Sequence, residues 1–257
     1  MRAWAAAGLL LIVAGCAGLG DQSPVYVPQG GPETDSQMRA RIHTELAAGY
    51  LELGNYGVAL QEAAEALKSE SDYAPAFNVM GLVYMELRDD KAAEGSFQRA
   101  LRASPLDSDT NNNYGWFLCQ RKREQESIKY FLAALRNPLY STPDKSWVNA
   151  GVCARQMGDL INAEDYFQKA LRIRPTQAQA LYQMAELAYR RKDYHEAKGY
   201  LKRVQSEDAQ SVEMLWLALR VERGLGDRNA EASLGFQLRR NFPDSREARA
   251  LMAGQYE

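Results

Sequence analysis

The sequence predicts an all-α protein, a solenoid of about six stacked helix–turn–helix units closed by a short final helix. Three observations predict it. Apolar and small residues recur in one frame: Phe77, Met80, Gly81, Tyr84, Ala93, Phe97, Ala100, Leu101 and Pro105 return as Trp147, Ala150, Gly151, Ala154, Ala163, Phe167, Ala170, Leu171 and Pro175. Candidate turn residues fall at Gly54, Arg88, Lys122, Gly158, Lys192 and Gly226, at spacings of 34, 34, 36, 34 and 34. Prolines at 105, 175 and 243 close units at matching positions. A period in the mid-thirties means that one helical hairpin repeats, each hairpin burying its apolar face against its neighbours.

The elements follow in order. Residues 1–15 read as a cleaved signal: Arg2 gives a positive start, and Ala3 to Ala14 form an apolar run too short for a membrane-spanning helix. The run ends in Val13-Ala14-Gly15-Cys16, which resembles the bacterial lipobox, and the resemblance implies lipidation of Cys16 as the first mature residue. More than one acyl chain gives stable anchoring. Among lipoproteins an aspartate after the cysteine means retention at the inner membrane; Ala17 stands there, which implies the periplasmic face of the outer membrane. Residues 16–37 are rich in Gly, Pro and polar residues and read as a flexible tether. Its reach is roughly 25 Å for about 20 residues of flexible coil.

Residues 38–257 form the repeat domain, with units near 40–73, 74–107, 108–141, 144–177, 178–211 and 212–245. First helices carry apolar–small pairs such as Met80-Gly81, Tyr114-Gly115 and Ala150-Gly151, which allow close helix approach, and Phe97, Phe131 and Phe167 fill the space beside them. The sixth unit is weaker, with Glu231 and Gly235 where alanine and an aromatic are expected. Between the third and fourth units, Asn137 to Pro143 stretches the period through two prolines and reads as a loop that offsets the stack, with Tyr140 a candidate partner contact. Asp244 and Glu247 suggest a capping-box start to the final helix.

These words resemble the tetratricopeptide repeat over about residues 40–245. The resemblance implies a right-handed superhelix whose first helices line a concave groove for partner proteins. Family positions carried over place Thr44, Ala48, Leu51, Asn78, Leu82, Met85, Asn112, Trp116, Gln120, Val152, Arg155, Tyr182, Glu186 and Tyr189 on that groove. Leu82, Met85 and Trp116 are its expected apolar strip, with Leu51 also on the groove, and Asn78 and Asn112 are placed to bond the backbone of an extended peptide; packing between helices is the alternative for any one of these residues. Trp116 is the expected anchor, since tryptophan is favoured at interface hot spots.

Several function classes are disfavoured. The formal net charge of −2, with Lys and Arg scattered, lacks the basic stripe that nucleic-acid binding needs. The two histidines, His43 and His195, fall in the first and fifth units, too far apart to share a metal or a catalytic dyad. Nucleophile elbows, metalloprotease motifs and phosphate loops do not occur in the sequence. Neither an enzyme, a cofactor, a metal site nor a small-molecule substrate is expected. Cys119 and Cys153 lie one unit apart on neighbouring first helices. An oxidising compartment favours a disulfide between them; two small buried hydrophobes are the alternative.

The lipobox, the short tether and the six units together resemble the type IV pilus biogenesis and stability lipoproteins PilW and PilF. The likeness reaches local wording: Gly20-Asp21-Gln22 after the cysteine, Asn112-Asn113-Tyr114-Gly115 with Phe117-Leu118, Leu139-Tyr140, and Ala163-Glu164 with Tyr166-Phe167 and Ala170-Leu171-Arg172. It implies a pilotin, which binds the pilus secretin subunit, carries it to the outer membrane and promotes multimer assembly. A lipoprotein scaffold of the same fold, serving outer-membrane protein assembly or cell-wall enzymes, is the alternative.

Overall fold

The computed structural model describes residues 33–204 and 211–256; Cys16, the signal segment and most of the tether lie outside the described residues. Thirteen α-helices are found among the described residues, and no strand. Twelve of them pair in chain order: α1 (Asp35–Glu52) with α2 (Tyr56–Ser69), α3 (Ala74–Glu86) with α4 (Asp90–Ala103), and α5 (Ser108–Gln120) with α6 (Glu124–Ala134). Then come α7 (Pro143–Gln156) with α8 (Leu160–Ile173), α9 (Ala178–Arg190) with α10 (Tyr194–Leu201), and α11 (Val212–Leu225) with α12 (Arg228–Asn241); α13 (Arg246–Met252) follows. The first helix begins at Asp35, inside the stretch assigned to the tether. Between Pro32 and Glu52 no proline interrupts the chain, and an acidic residue in the first turn suits the positive end of the helix dipole.

All six predicted turn residues adopt the left-handed conformation, with φ of 72° at Gly54, 85° at Gly158, 77° at Gly226, 60° at Arg88 and Lys122, and 64° at Lys192. The geometry is therefore set by the hairpin, since non-glycine residues accept it at a cost of roughly 1–2 kcal/mol. Just after these turns, Asp89, Asp159, Asp193 and Asp227 cap the second helices, each accepting from the backbone N–H three residues on. Each such cap contributes about 1 kcal/mol.

Within a hairpin, close approach comes from a glycine facing a phenylalanine. A Cβ added at Gly81, Gly115 or Gly151 would lie 2.6, 2.9 or 2.5 Å from the ring of Phe97, Phe131 or Phe167, and all three rings are fully buried. The sixth hairpin inverts this pair. Leu219 stands on the first helix where the glycine belongs and is fully buried, while Gly235 on the second helix leaves a hollow that Leu251 of the final helix and Leu219 fill, 3.2 and 3.6 Å from where a Cβ would stand. The anomalous Glu231 ion-pairs with Arg223 at 2.7 Å and Arg228 at 3.1 Å. This unit therefore keeps its fold by exchanging the large and small sides.

Each first helix also touches the next first helix, so α1, α3, α5, α7, α9 and α11 form one continuous face. The last helix, α13, contacts both α11 and α12, where a seventh first helix would pack. Ser245 caps it by accepting from Ala248 N at 3.0 Å, so the helix starts one residue later than the Asp244 expected from sequence. The loop between α6 and α7 also differs from expectation. Tyr140 is buried, with its hydroxyl 3.3 Å from Ser146 Oγ, so it anchors the offset between units and offers no ring to a partner.

Candidate partner-binding groove

The face built by the first helices carries a polar row. Asn113 Nδ2 donates to Asn78 Oδ1 at 3.1 Å, linking α5 to α3. Asn112 Oδ1 accepts from Ser146 Oγ at 2.9 Å and Asn149 Nδ2 at 3.0 Å, linking α5 to α7. Asn78 and Asn112 were expected to serve a peptide backbone, yet their oxygens are committed to neighbouring helices. Among the described residues the Asn78 amide N–H groups have no acceptor and stay free to donate. Asn113, Ser146 and Asn149 belong to the row as well. Their polar character at 34–37-residue separations from Asn78 and Asn112 was the available signal.

The apolar strip is less exposed than expected. Leu51, Leu82, Met85 and Trp116 are half-buried. Leu82 and Met85 lean on the cluster of Ala93, Phe97, Tyr114, Phe117 and Leu118. Trp116 spans from Cys119 and Phe131 of the third unit to Val148 and Val152 of the fourth. These side chains are therefore groove wall and packing surface at once. Thr44 is buried, its hydroxyl donating to Ala40 O at 2.8 Å, and Val152 is buried too; neither lines the groove. The reason is rotational: successive residues point about 100° apart around a helix, so the way a helix is turned against its neighbours decides whether a position faces the groove or packs between helices.

Cys119 and Cys153 are bonded to each other, with Cα atoms 5.9 Å apart, and clamp α5 to α7 beside Trp116. A hollow of about 1030 Å³ opens next to the bridge, with Met85, Gln120 and Gln156 among its walls. Behind the strip, the Tyr114 hydroxyl donates to Glu94 at 2.9 Å and Arg123 donates to the same carboxylate at 2.8 Å. Burial pushes the Tyr114 phenol far up. At Glu94 burial works upward as well, but the hydrogen bonds from Arg123 and Tyr114 hold the carboxyl below its ordinary value.

Toward α9 and α11 the same face turns aromatic and cationic. Arg155 is half-buried, and its Nε is enclosed without a hydrogen-bond partner. Burial, then the nearby Glu186 carboxylate, pushes the Tyr182 phenol up. Glu186 pairs with Arg220 at 3.0 Å, and Arg220 lies over the Tyr189 ring at 4.7 Å and the Trp216 ring at 5.6 Å. Trp216, Arg220 and Arg223 occupy in the sixth unit the positions that Asn78, Leu82 and Met85 hold in the second. The blurred pattern of the sixth unit hid them, although the frame set by Gly226 would have found them. Tyr256, from the segment after α13, stacks on Trp216 with ring centroids 6.0 Å apart and planes 8° from parallel.

No helix among the described residues is long and apolar enough to cross a membrane. Tetratricopeptide-repeat family models match residues 144–206 and, overlapping, residues 44–108 and 78–144. The chain is 30% identical over 239 residues to the type IV pilus assembly protein PilF of Pseudomonas aeruginosa, covering 93% of both sequences. The solved structure of Pseudomonas aeruginosa PilF superposes with a TM-score of 0.79 at 28% identity, over 86% of this chain and all (100%) of that one. The crystal structure of PilW, described as a widely conserved type IV pilus biogenesis factor, gives a TM-score of 0.74 at 32% identity, over 83% of this chain and 98% of that one. Alike over 93% of its sequence and superposable over more than four-fifths of its length, this chain belongs to the tetratricopeptide-repeat family of type IV pilus biogenesis proteins that includes PilF and PilW.

Proposed function

We propose that the protein is a pilotin of type IV pilus biogenesis. Lipidated at Cys16 and held at the periplasmic face of the outer membrane, it binds a subunit of the pilus secretin and promotes multimer assembly there. The observation that carries this reading is the likeness to PilF and PilW along nearly the whole chain. The first-helix face of the leading units supports it, because it carries half-buried Leu82, Met85 and Trp116 together with the amide donor of Asn78. Such a surface suits an extended segment, which needs apolar contact and main-chain hydrogen bonds together. The role calls for binding and tethering alone. An anchored receptor raises the local concentration of its cargo at the membrane surface.

A crosslinked pull-down from membranes tests the reading. The pilus secretin is expected as the main partner. Trp116→Ala, or Leu82→Ala with Met85→Ala, is expected to weaken capture by about 1–2 kcal/mol, the loss typical of an interface anchor. Circular dichroism melting must accompany these variants, because Trp116 also packs between units. Full capture by folded variants would remove the secretin from this face. Cys16→Ser is expected to release the protein from the outer membrane or leave it uncleaved, with the repeats still folded; palmitate incorporation that survives the substitution would refute the anchor.

A further inference from the structure

The first-helix face of the sixth unit is already occupied by the chain itself. After α13, Gly254 takes a left-handed φ of 69°, Gly254 N donates to Leu251 O at 3.1 Å and Gln255 N donates to Ala250 O at 2.9 Å. This helix-ending reversal sends the chain back, away from the α13 axis. Tyr256 then lies on Trp216, and the Arg223 guanidinium sits 3.8 Å from the centre of the Tyr256 ring. Arg223 is held in place by Glu231, and Trp216 carries Arg220 at its side. The slot thus has an aromatic wall and a fixed cation, the pair of groups that recognises an electron-rich aromatic ring.

The contact is shallow. Tyr256 is only half-buried, and Gln255 and Gly254 beside it are exposed. One ring seats the segment on the slot, and the slot lies on the same face, and at the same register positions, as the groove formed by the earlier units. We propose that Trp216, Arg220 and Arg223 form a second peptide-binding site, selective for an extended partner segment bearing an aromatic side chain, and that Tyr256 occupies it in cis until such a segment displaces it. This site is separate from the secretin surface proposed on the leading units and stands or falls without it. A tethered competitor acts at an effective concentration of about 1 mM, so if the tail's own Kd for the slot is about 0.1 mM, any competing peptide is weakened roughly tenfold by Tyr256.

The test uses the full-length protein in detergent and a fluorescein-labelled peptide, Leu-Met-Ala-Gly-Gln-Tyr-Glu, copied from residues 251–257. Anisotropy titration is expected to show about tenfold tighter binding to Tyr256→Ala than to the unaltered chain. Tyr256→Phe, which keeps the stacked ring, should behave more like the unaltered protein. Replacing the peptide tyrosine by alanine, or adding Trp216→Ala to Tyr256→Ala, should abolish binding. Equal affinity for the unaltered chain and Tyr256→Ala would overturn the proposal. So would a Tyr256→Ala protein that melts earlier and binds no peptide, since Tyr256 would then be a structural cap only. Sedimentation supplies the remaining arm: a dimer of the unaltered chain that Tyr256→Ala abolishes would make a second copy the occupant and overturn the partner reading.

Discussion

Phe167→Ala is expected to destabilise the repeat domain by about 3–5 kcal/mol, the range for emptying a fully buried phenylalanine site. The ring is fully buried and fills the hollow that Gly151 leaves on the facing helix. It belongs to one buried cluster with Val148, Val152, Ala163 and Met184, which spans α7, α8 and α9, so the loss reaches several elements at once. The hollow cannot collapse readily, because α7 is held by the bridge to α5 on one side and by α9 on the other. The sixth unit supplies a sharper test. There Leu219 and Gly235 exchange the large and small roles, with Leu251 of α13 also filling the hollow, so the double variant Gly151→Leu with Phe167→Gly copies the hairpin part of that arrangement. It should be more stable than the sum of its single substitutions predicts, by a coupling energy of about 1–3 kcal/mol. Denaturant unfolding of the four proteins measures it. Strict additivity would mean that the two positions do not share one packing space.

Loss of the Cys119–Cys153 bond is the second large effect. The bond joins residues 34 apart in sequence and constrains the unfolded chain accordingly. Loop-closure entropy for such a length contributes about 3–4 kcal/mol. Because a solenoid is stabilised by neighbour-to-neighbour interfaces, the effect should concentrate where α5 meets α7. Hydrogen exchange is the suitable probe: protection of α5 to α8 should fall in Cys119→Ala/Cys153→Ala more than protection of α1 and α2. Mass spectrometry of the unreduced protein should show no free thiol at either position. Two free thiols in the oxidised protein, or unchanged protection in the double variant, would reject the clamp. Trp116 rests on both cysteines' neighbourhood, so reduction should also loosen the apolar wall of the groove.

Local signals settled much of this protein in advance. A repeat period near 34 residues and a turn residue at a fixed place in it are short-range instructions, and all six turns sit where the spacing puts them. The small residues of the first helices foretold close helix approach because only a missing side chain makes room for the phenylalanine opposite. The likeness to PilF and PilW was legible for a similar reason: word order in a repeat protein is architecture order. What tertiary structure alone decided is which side chains remain available on the groove. Leu82, Met85 and Trp116 became half-buried wall, Thr44 and Val152 went between helices, and Tyr140 left the surface to anchor a loop. Asn78 and Asn112 spent their oxygens on adjacent units, and Tyr256 returned to Trp216 across the sixth. Period fixes where each helix begins and turns. Exposure depends on how neighbouring helices rotate against one another and on contacts distant in sequence, which no local pattern carries.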